Sequence, residues 1–430
     1  MRIDWLKTSR LMAMASMFAL AVAPAGCATE SASGDEAAQG GDEEAATVDD
    51  ITSVDHSKVK RQSIGNCWFY ATTSWVEALN KGTFTANEPE LNLSESYGTY
   101  WHWFEQIGNR GGTEISTGGS WGTAVGLIER YGMMPEGAFI PEESEAEMSG
   151  RQASALAAVN KELKEGVLKD PAARRDRKKV REVLDKAWGL NDSVKATLNT
   201  VFGAGVERTL DRAYRSRKPA GGILRPRDIA VRLKNPTTGQ FEKGTLQDAI
   251  GTGSTWSRSG KYAWNEVDFP FQASQRRAFY TRIQKALHDR QPVVVSWKVD
   301  FNALTAQSVF DLAALETKGP GRQGGHMTVM HDYQAKLGDG RVLKAGEQAS
   351  AEDLARALDP STRIEFIRVK NSWGASRPDR WSFAALPGYH DLTTAYLEGP
   401  IWDCAEGVTD RNQCSKSAVP LWDVVLPPGY

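Results

Sequence analysis

QSIGNCWFYATTSWVEALNKG, Gln62 to Gly82, sets a cysteine between a glycine-asparagine turn and an amphipathic run. Trp68, Ala71, Trp75 and Leu79 recur at helical spacing, and Gly82 is placed to end the helix. Cys67 therefore opens that helix, where backbone N–H groups lack intrahelical partners and the dipole is positive. A thiolate is stabilised at such a place. To act as a nucleophile the thiol still needs a base, and histidine suits that role near neutral pH.

Six histidines are available, and the most informative lies in GGHMTVMHDYQ, residues 324–334. After Gly324 and Gly325, which allow close approach of another segment, His326 opens an alternating strand. Met327 and Val329 face one way, Thr328 and Met330 the other. His331, five residues on, points to the opposite face in a regular strand and cannot share a catalytic position with His326. His331 is read as a surface or structural histidine. His56, His102, His288 and His390 carry no comparable context. A third piece is IEFIRVKNSWGAS, residues 364–376, where Ile367 and Val369 alternate with Arg368 and Lys370 in a strand ending at Asn371-Ser372-Trp373-Gly374. An amide at that strand end would fix an imidazole at the start of another strand. A neighbouring indole would shield the contact from water, which is the orienting role in triad chemistry.

In the order Gln62, Cys67-Trp68, Gly325-His326 and Asn371-Ser372-Trp373-Gly374, these pieces resemble the papain-like cysteine peptidases. The resemblance implies an α+β, two-lobed fold, with a helical lobe presenting Cys67 and a β-barrel-like lobe supplying His326 and Asn371. It also implies that Cys67 is nucleophile, His326 acid and base, Asn371 its orienter, Trp373 the cover and Gln62 an oxyanion donor. In that family the oxyanion glutamine usually lies one position further from the cysteine than Gln62 does, so the role of Gln62 is less firmly implied than the triad. Within the superfamily, PELNLSESYGTYWHWFEQI (89–107), GGSWGTAVGLIERYGMMPEGAF (118–139) and SAVPLWDVVLPPGY (417–430) are most similar to the bleomycin hydrolase or aminopeptidase C branch. In that branch the C-terminal arm enters the cleft and favours aminopeptidase action, and VVLPPGY has about the right length for such an arm.

Cys67 and His326 are 259 positions apart, far more than the roughly 130–150 of simple papain-like enzymes. Much of the excess is a helical insertion over about 150–218, where Leu156, Val159, Leu163 and Val167 mark one amphipathic helix and Val180, Leu184 and Trp188 another. Residues 151–218 hold 17 Lys and Arg against 9 Asp and Glu and include RRDRKK. This basic excess reads as a solvated helix face rather than a nucleic-acid surface. A net charge of −2 over the whole chain gives no reason to invoke nucleic acid either.

The N-terminus reads as a processing segment. Arg2, Lys7 and Arg10 precede LMAMASMFALAVAPA, an apolar stretch of signal-peptide length, so residues 1–26 are expected to be removed. APAGC resembles a bacterial lipoprotein box that would place lipid on Cys27, although Pro24 replaces the usual leucine, and Ala23-Pro24-Ala25 is the competing site for ordinary secretion. Residues 27–56, acidic and without Lys or Arg from Glu30 to Asp50, read as a flexible tether to a peptidase domain at 57–430. The expected location is the bacterial cell envelope, as an outer-membrane lipoprotein, otherwise periplasmic or secreted. Cys404 and Cys414 flank a short polar loop suited to a disulfide, with a metal site as rival, and Cys67 is left as an unpaired thiol.

The expected partners are a peptide or protein substrate and a membrane through a lipid anchor alone, with no nucleic acid, no cofactor and no metal, and with oligomeric state left open. Two other functions use the same residues. One is a Cys-His acyltransferase, which would normally carry aspartate in place of Asn371. The other is a non-catalytic binding protein on a peptidase scaffold, which would be expected to have lost a triad member.

Overall fold

A computed structural model describes residues 53–83, 90–109, 111–213, 217, 219, 221–375 and 382–430. The predicted signal segment, Cys27 and most of the predicted tether lie outside the described residues. Residues 53–56, which composition assigns to the end of that tether, are packed: Val54 and His56 are buried, and the Val54 N–H donates to the His331 carbonyl at 3.0 Å. Composition misplaces this boundary because two side chains suffice to dock an irregular segment that the acidic run upstream does not foreshadow.

The predicted helix is α1, Cys67–Lys81, closed by Gly82. Around it stand α2 (Glu95–Asn109) and α3 (Trp121–Tyr131), then the predicted insertion as α4 (Gly150–Lys164), α5 (Arg177–Ala187) and α6 (Asp192–Phe202). Aromatic side chains fill this lobe. Trp75, Trp101, Trp103, Trp121 and Trp188 are fully buried, and the Trp101 and Tyr131 rings stack at 4.0 Å. Two glycines let the layers close. A Cβ on Gly98 would stand 1.8 Å from the Phe69 ring, and one on Gly119 2.5 Å from the Trp68 indole.

The second lobe is an eight-stranded sheet backed by α7 (Ala273–His288). Its strands are β1 (Asn265–Asp268), β2 (Val294–Asp300), β3 (Val309–Phe310), β4 (Gln323–Lys336), β5 (Val342–Leu343), β6 (Arg363–Lys370), β7 (Tyr389–Thr393) and β8 (Leu421–Leu426). They run in the order β1-β8-β2-β4-β6-β7-β3, with β5 paired to the end of β4. All pairings are antiparallel except β7 with β3. The α+β class, with a helical lobe, a sheet lobe and a helical insertion, is as the sequence predicts.

Alternation along β4 joins the lobes. Met327 and Val329 belong to the apolar cluster that contains α1, together with Val294 and Val425, while Met330 belongs to the core on the other face of the sheet. Both faces of the central strands are thus covered, and α1 lies between the lobes.

Candidate active site

Cys67 is the first residue of α1 and is buried. No side chain caps this helix. The preceding Asn66 instead donates its amide hydrogens to Thr99 Oγ1 and Gln152 Oε1, both at 2.9 Å, which pins the turn to α2 and α4. The uncapped N-terminus leaves first-turn N–H groups for an anion, the environment that favours thiolate. The expectation of an unpaired Cys67 is corrected: no described cysteine is a free thiol, and the Cys67 sulfur is disulfide-bonded. A disulfide sulfur cannot act as the attacking thiolate, so nucleophilic chemistry here requires reduction first.

His326 lies near the start of β4, opposite Trp297 of β2, and is buried. Its Nε2–H donates to Asn371 Oδ1 at 2.8 Å. A neutral imidazole whose proton sits on Nε2 carries its basic lone pair on Nδ1. Asn371 follows the last residue of β6, and its Oδ1 also accepts the Ser372 N–H at 2.8 Å. Trp373 stacks over the His326 ring, centroids 4.8 Å apart and planes inclined by 19°, while Trp297 meets the ring edge-on at 5.5 Å. The amide-imidazole contact is therefore dry, which strengthens it electrostatically.

Gln62 is brought to the same place by Ser372. The Gln62 N–H donates to the Ser372 carbonyl at 2.9 Å, and the Ser372 hydroxyl donates to Gln62 Oε1 at 2.6 Å. The Gln62 amide nitrogen gives one hydrogen to the Ile64 carbonyl at 2.8 Å and has a second. A continuous chain of contacts thus runs from Gln62 through Ser372 and Asn371 to His326, beside the strand on which α1 packs.

His331 ends elsewhere. A bulge between the pairs Arg368–Asp332 and Val369–Met330 leaves His331 as the extra residue of β4. Its Nδ1–H donates to the Val54 carbonyl at 3.0 Å, and His56 Nε2–H donates to the Met330 carbonyl at 3.0 Å. Burial, with Lys370, His331 and Lys81 adding repulsion, holds the His56 pKa well below the ordinary histidine value.

Beneath the site is a buried ionic floor that sequence reading missed. Lys60 Nζ donates to the Leu93 carbonyl at 2.7 Å, to Glu95 at 3.0 Å and to Glu136 at 2.6 Å. Lys370, read from its alternation as the polar face of a strand, is buried and donates to Ser57 Oγ at 2.8 Å and Ser74 Oγ at 3.2 Å. Burial pushes the Lys370 pKa down to about 8, against the pull of Glu77. Burial likewise raises Glu136 to about 8, helped by the like charge of Glu95 and opposed by Lys60. For Lys60, burial disfavours the charge, but Glu95, Glu77 and Glu136 outweigh it and raise the pKa. The missing signal is non-local: five charged residues, Lys60, Glu77, Glu95, Glu136 and Lys370, come from five separate segments and compensate one another only once the chain has folded.

Two further expectations meet the structure here. Cys404 and Cys414 are bonded to each other, S–S 2.08 Å, which removes the metal alternative for that pair. Their hairpin hangs on Gln323, three residues before His326, through Gln323 Nε2 to the Trp402 carbonyl at 2.9 Å and the Cys404 N–H to Gln323 Oε1 at 3.2 Å. The C-terminal arm, expected in the cleft, goes elsewhere. The Tyr430 hydroxyl donates to Asp289 Oδ2 at 2.5 Å and its ring lies under Lys234 Nζ at 4.9 Å. Arg232, which donates to the Asp289 carbonyl, flanks Gly82 at the C-terminal end of α1. Cys67 is at the other end, about 22 Å away along a helix of this length. The strand β8 carries the arm in that direction through its pairing with β1 and β2.

No family model matches the sequence, and no curated protein matches it. Solved structures do match. PepW from Lactobacillus rhamnosis is 14% identical, covers 89% of this chain and 82% of its own, and superposes with a TM-score of 0.42. Xylellain, a cysteine protease from Xylella fastidiosa, is 11% identical, covers 95% of this chain and 97% of its own, and gives a TM-score of 0.35.

Proposed function

We propose that this chain is a cysteine-type peptidase of papain-like architecture, acting through Cys67, His326 and Asn371. The observation that carries the reading is the His326–Asn371 bond beneath a stacked Trp373, tied through Ser372 to Gln62. The Cys67 thiol gives its proton to His326 Nδ1, and the thiolate adds to a peptide carbonyl carbon. The oxyanion lies between the Cys67 N–H and the free hydrogen of the Gln62 amide. The imidazolium, steadied by Asn371, protonates the leaving amine as the C–N bond breaks. Water, deprotonated by His326, then releases the acyl group and regenerates the thiol.

Placement in the bleomycin hydrolase branch rests on sequence segments alone. Aminopeptidase action through a C-terminal arm in the cleft loses its support, because Tyr430 docks beside Asp289. Export and lipid attachment at Cys27 rest on the N-terminal sequence.

The test is intact-mass alkylation of the reduced protein with a mild alkylator, beside Cys67→Ala and His326→Ala, followed by peptide cleavage assays. Fast modification confined to Cys67, slowed without His326, together with peptide hydrolysis after reduction, supports the reading. A Cys67 that reacts as an ordinary thiol whatever stands at 326 overturns it and leaves the binding-scaffold reading. Transfer of an acyl group to an added amine in preference to water would favour the acyltransferase.

A further inference from the structure

His390 has no assigned part in this site, and its sequence context drew no attention. The strand register brings it there. Val369 of β6 pairs with His390 of β7, and Asn371 follows Val369 by two, so His390 is the diagonal neighbour of Asn371 on one face of the sheet. His390 is buried, and its ring meets Trp373 edge-on at 5.3 Å, the same indole that stacks on His326. Asn371 Nδ2–H donates to His390 Nδ1 across 3.4 Å. One amide thus bridges two imidazoles: His326 Nε2–H to Oδ1, and Nδ2–H to His390 Nδ1.

We infer that His390 is a positioning residue for the triad, a reading that rests on the proposed peptidase chemistry. An asparagine amide is nearly symmetric in shape, so its two ends are told apart only by their hydrogen-bond partners. The Ser372 N–H and His326 Nε2–H require the oxygen on one side. The acceptor on His390 requires the nitrogen on the other. Accepting from Nδ2–H also shifts amide electron density towards Oδ1, which strengthens the bond to His326 when the latter becomes imidazolium. The contact acts through Asn371 and touches no reacting atom.

The experiment compares His390→Leu, which keeps bulk and removes the acceptor, with His390→Asn, whose Oδ1 stands near the position of Nδ1. Reduced proteins are assayed for Cys67 alkylation rate, for kcat and KM on a peptide, and for melting temperature. One hydrogen bond of ordinary worth corresponds to a loss of about 3- to 10-fold. His390→Leu is expected to lower both kcat and alkylation by that factor with KM unchanged, and His390→Asn to recover most of it. If His390→Leu does not fold, His390→Ala is the acceptor-free comparison. Wild-type rates in the acceptor-free variant, or equal losses in that variant and His390→Asn, overturn the role of His390. Slow alkylation of wild type itself overturns the triad, and this inference with it, and so is distinguished from a failure confined to His390.

Discussion

His326 and His331 lie five residues apart on one strand, both buried, and they are held by different kinds of partner. His326 donates to a side-chain amide and lies under an indole, and in the proposed chemistry its other nitrogen is the base. His331 donates to a backbone carbonyl, that of Val54, and in return its own carbonyl accepts the Val54 N–H. The first arrangement fixes a ring while leaving its protonation chemistry to be used. The second makes the ring a clasp for the segment that leads to Gln62. Residue type and burial do not separate the two. The partner does: a peptide carbonyl held by the main chain serves as an anchor, whereas an amide held by its own neighbours is suited to the orienting role proposed for Asn371.

The sharpest way to break this contrast is to remove each ring in turn. His326→Ala should lower kcat/KM for a peptide by at least about 1000-fold with little change in melting temperature. His331→Ala should leave kcat/KM within about threefold of wild type under conditions where the protein stays folded. Comparable losses of activity in both would erase the distinction. Next in size, Gln62→Ala should lower kcat by about 100- to 1000-fold, with KM less affected, if its amide meets the oxyanion. A change below tenfold would assign Gln62 to the structural side with His331.

The clasp side is read by stability. His331→Ala should cost about 1–3 kcal/mol in denaturant unfolding, because the Val54 carbonyl loses its buried donor. His56 sharpens the point through pH. Its folded pKa is depressed below 6.5, so the unfolded chain binds the extra proton, and the stability present above 6.5 is lost as pH falls below it. Wild type should therefore lose stability on acidification more steeply than His56→Gln, which keeps a donor for the Met330 carbonyl without the charge. Parallel pH curves would remove His56 from the account. The smallest effect is expected at the far end of α1. Deleting residues 427–430 should leave peptide product lengths unchanged and lower stability by about 1 kcal/mol, through loss of the Tyr430–Asp289 contact. Altered product lengths would return the arm to the cleft.

Much of the site was legible because its pieces are local. A helix opened by cysteine, a strand opened by Gly-Gly-His and a strand closed by Asn-Ser-Trp-Gly each declare themselves within a dozen residues, and the structure has α1, β4 and the end of β6 at those positions. What was misread or missed is non-local. Lys370 alternates with apolar residues in the sequence, which does not show that its ammonium is buried against Ser57 and Ser74. Val54 and His56 looked like tether until β4 gave them carbonyl and N–H partners. His390 looked like any strand residue until β7 was set beside β6.

The sequence by itself determined which side chains are chemically able to serve as nucleophile, base and orienter, and which elements carry them, since periodicity and turn residues act over a few positions. Only the tertiary structure decided which histidine meets the amide, which lysine is buried with carboxylates around it, and where the C-terminus goes. Those outcomes depend on strand register and on charges and hydrogen-bond partners from distant segments. No single segment encodes them, because each exists only when two or more have been brought together and dehydrated.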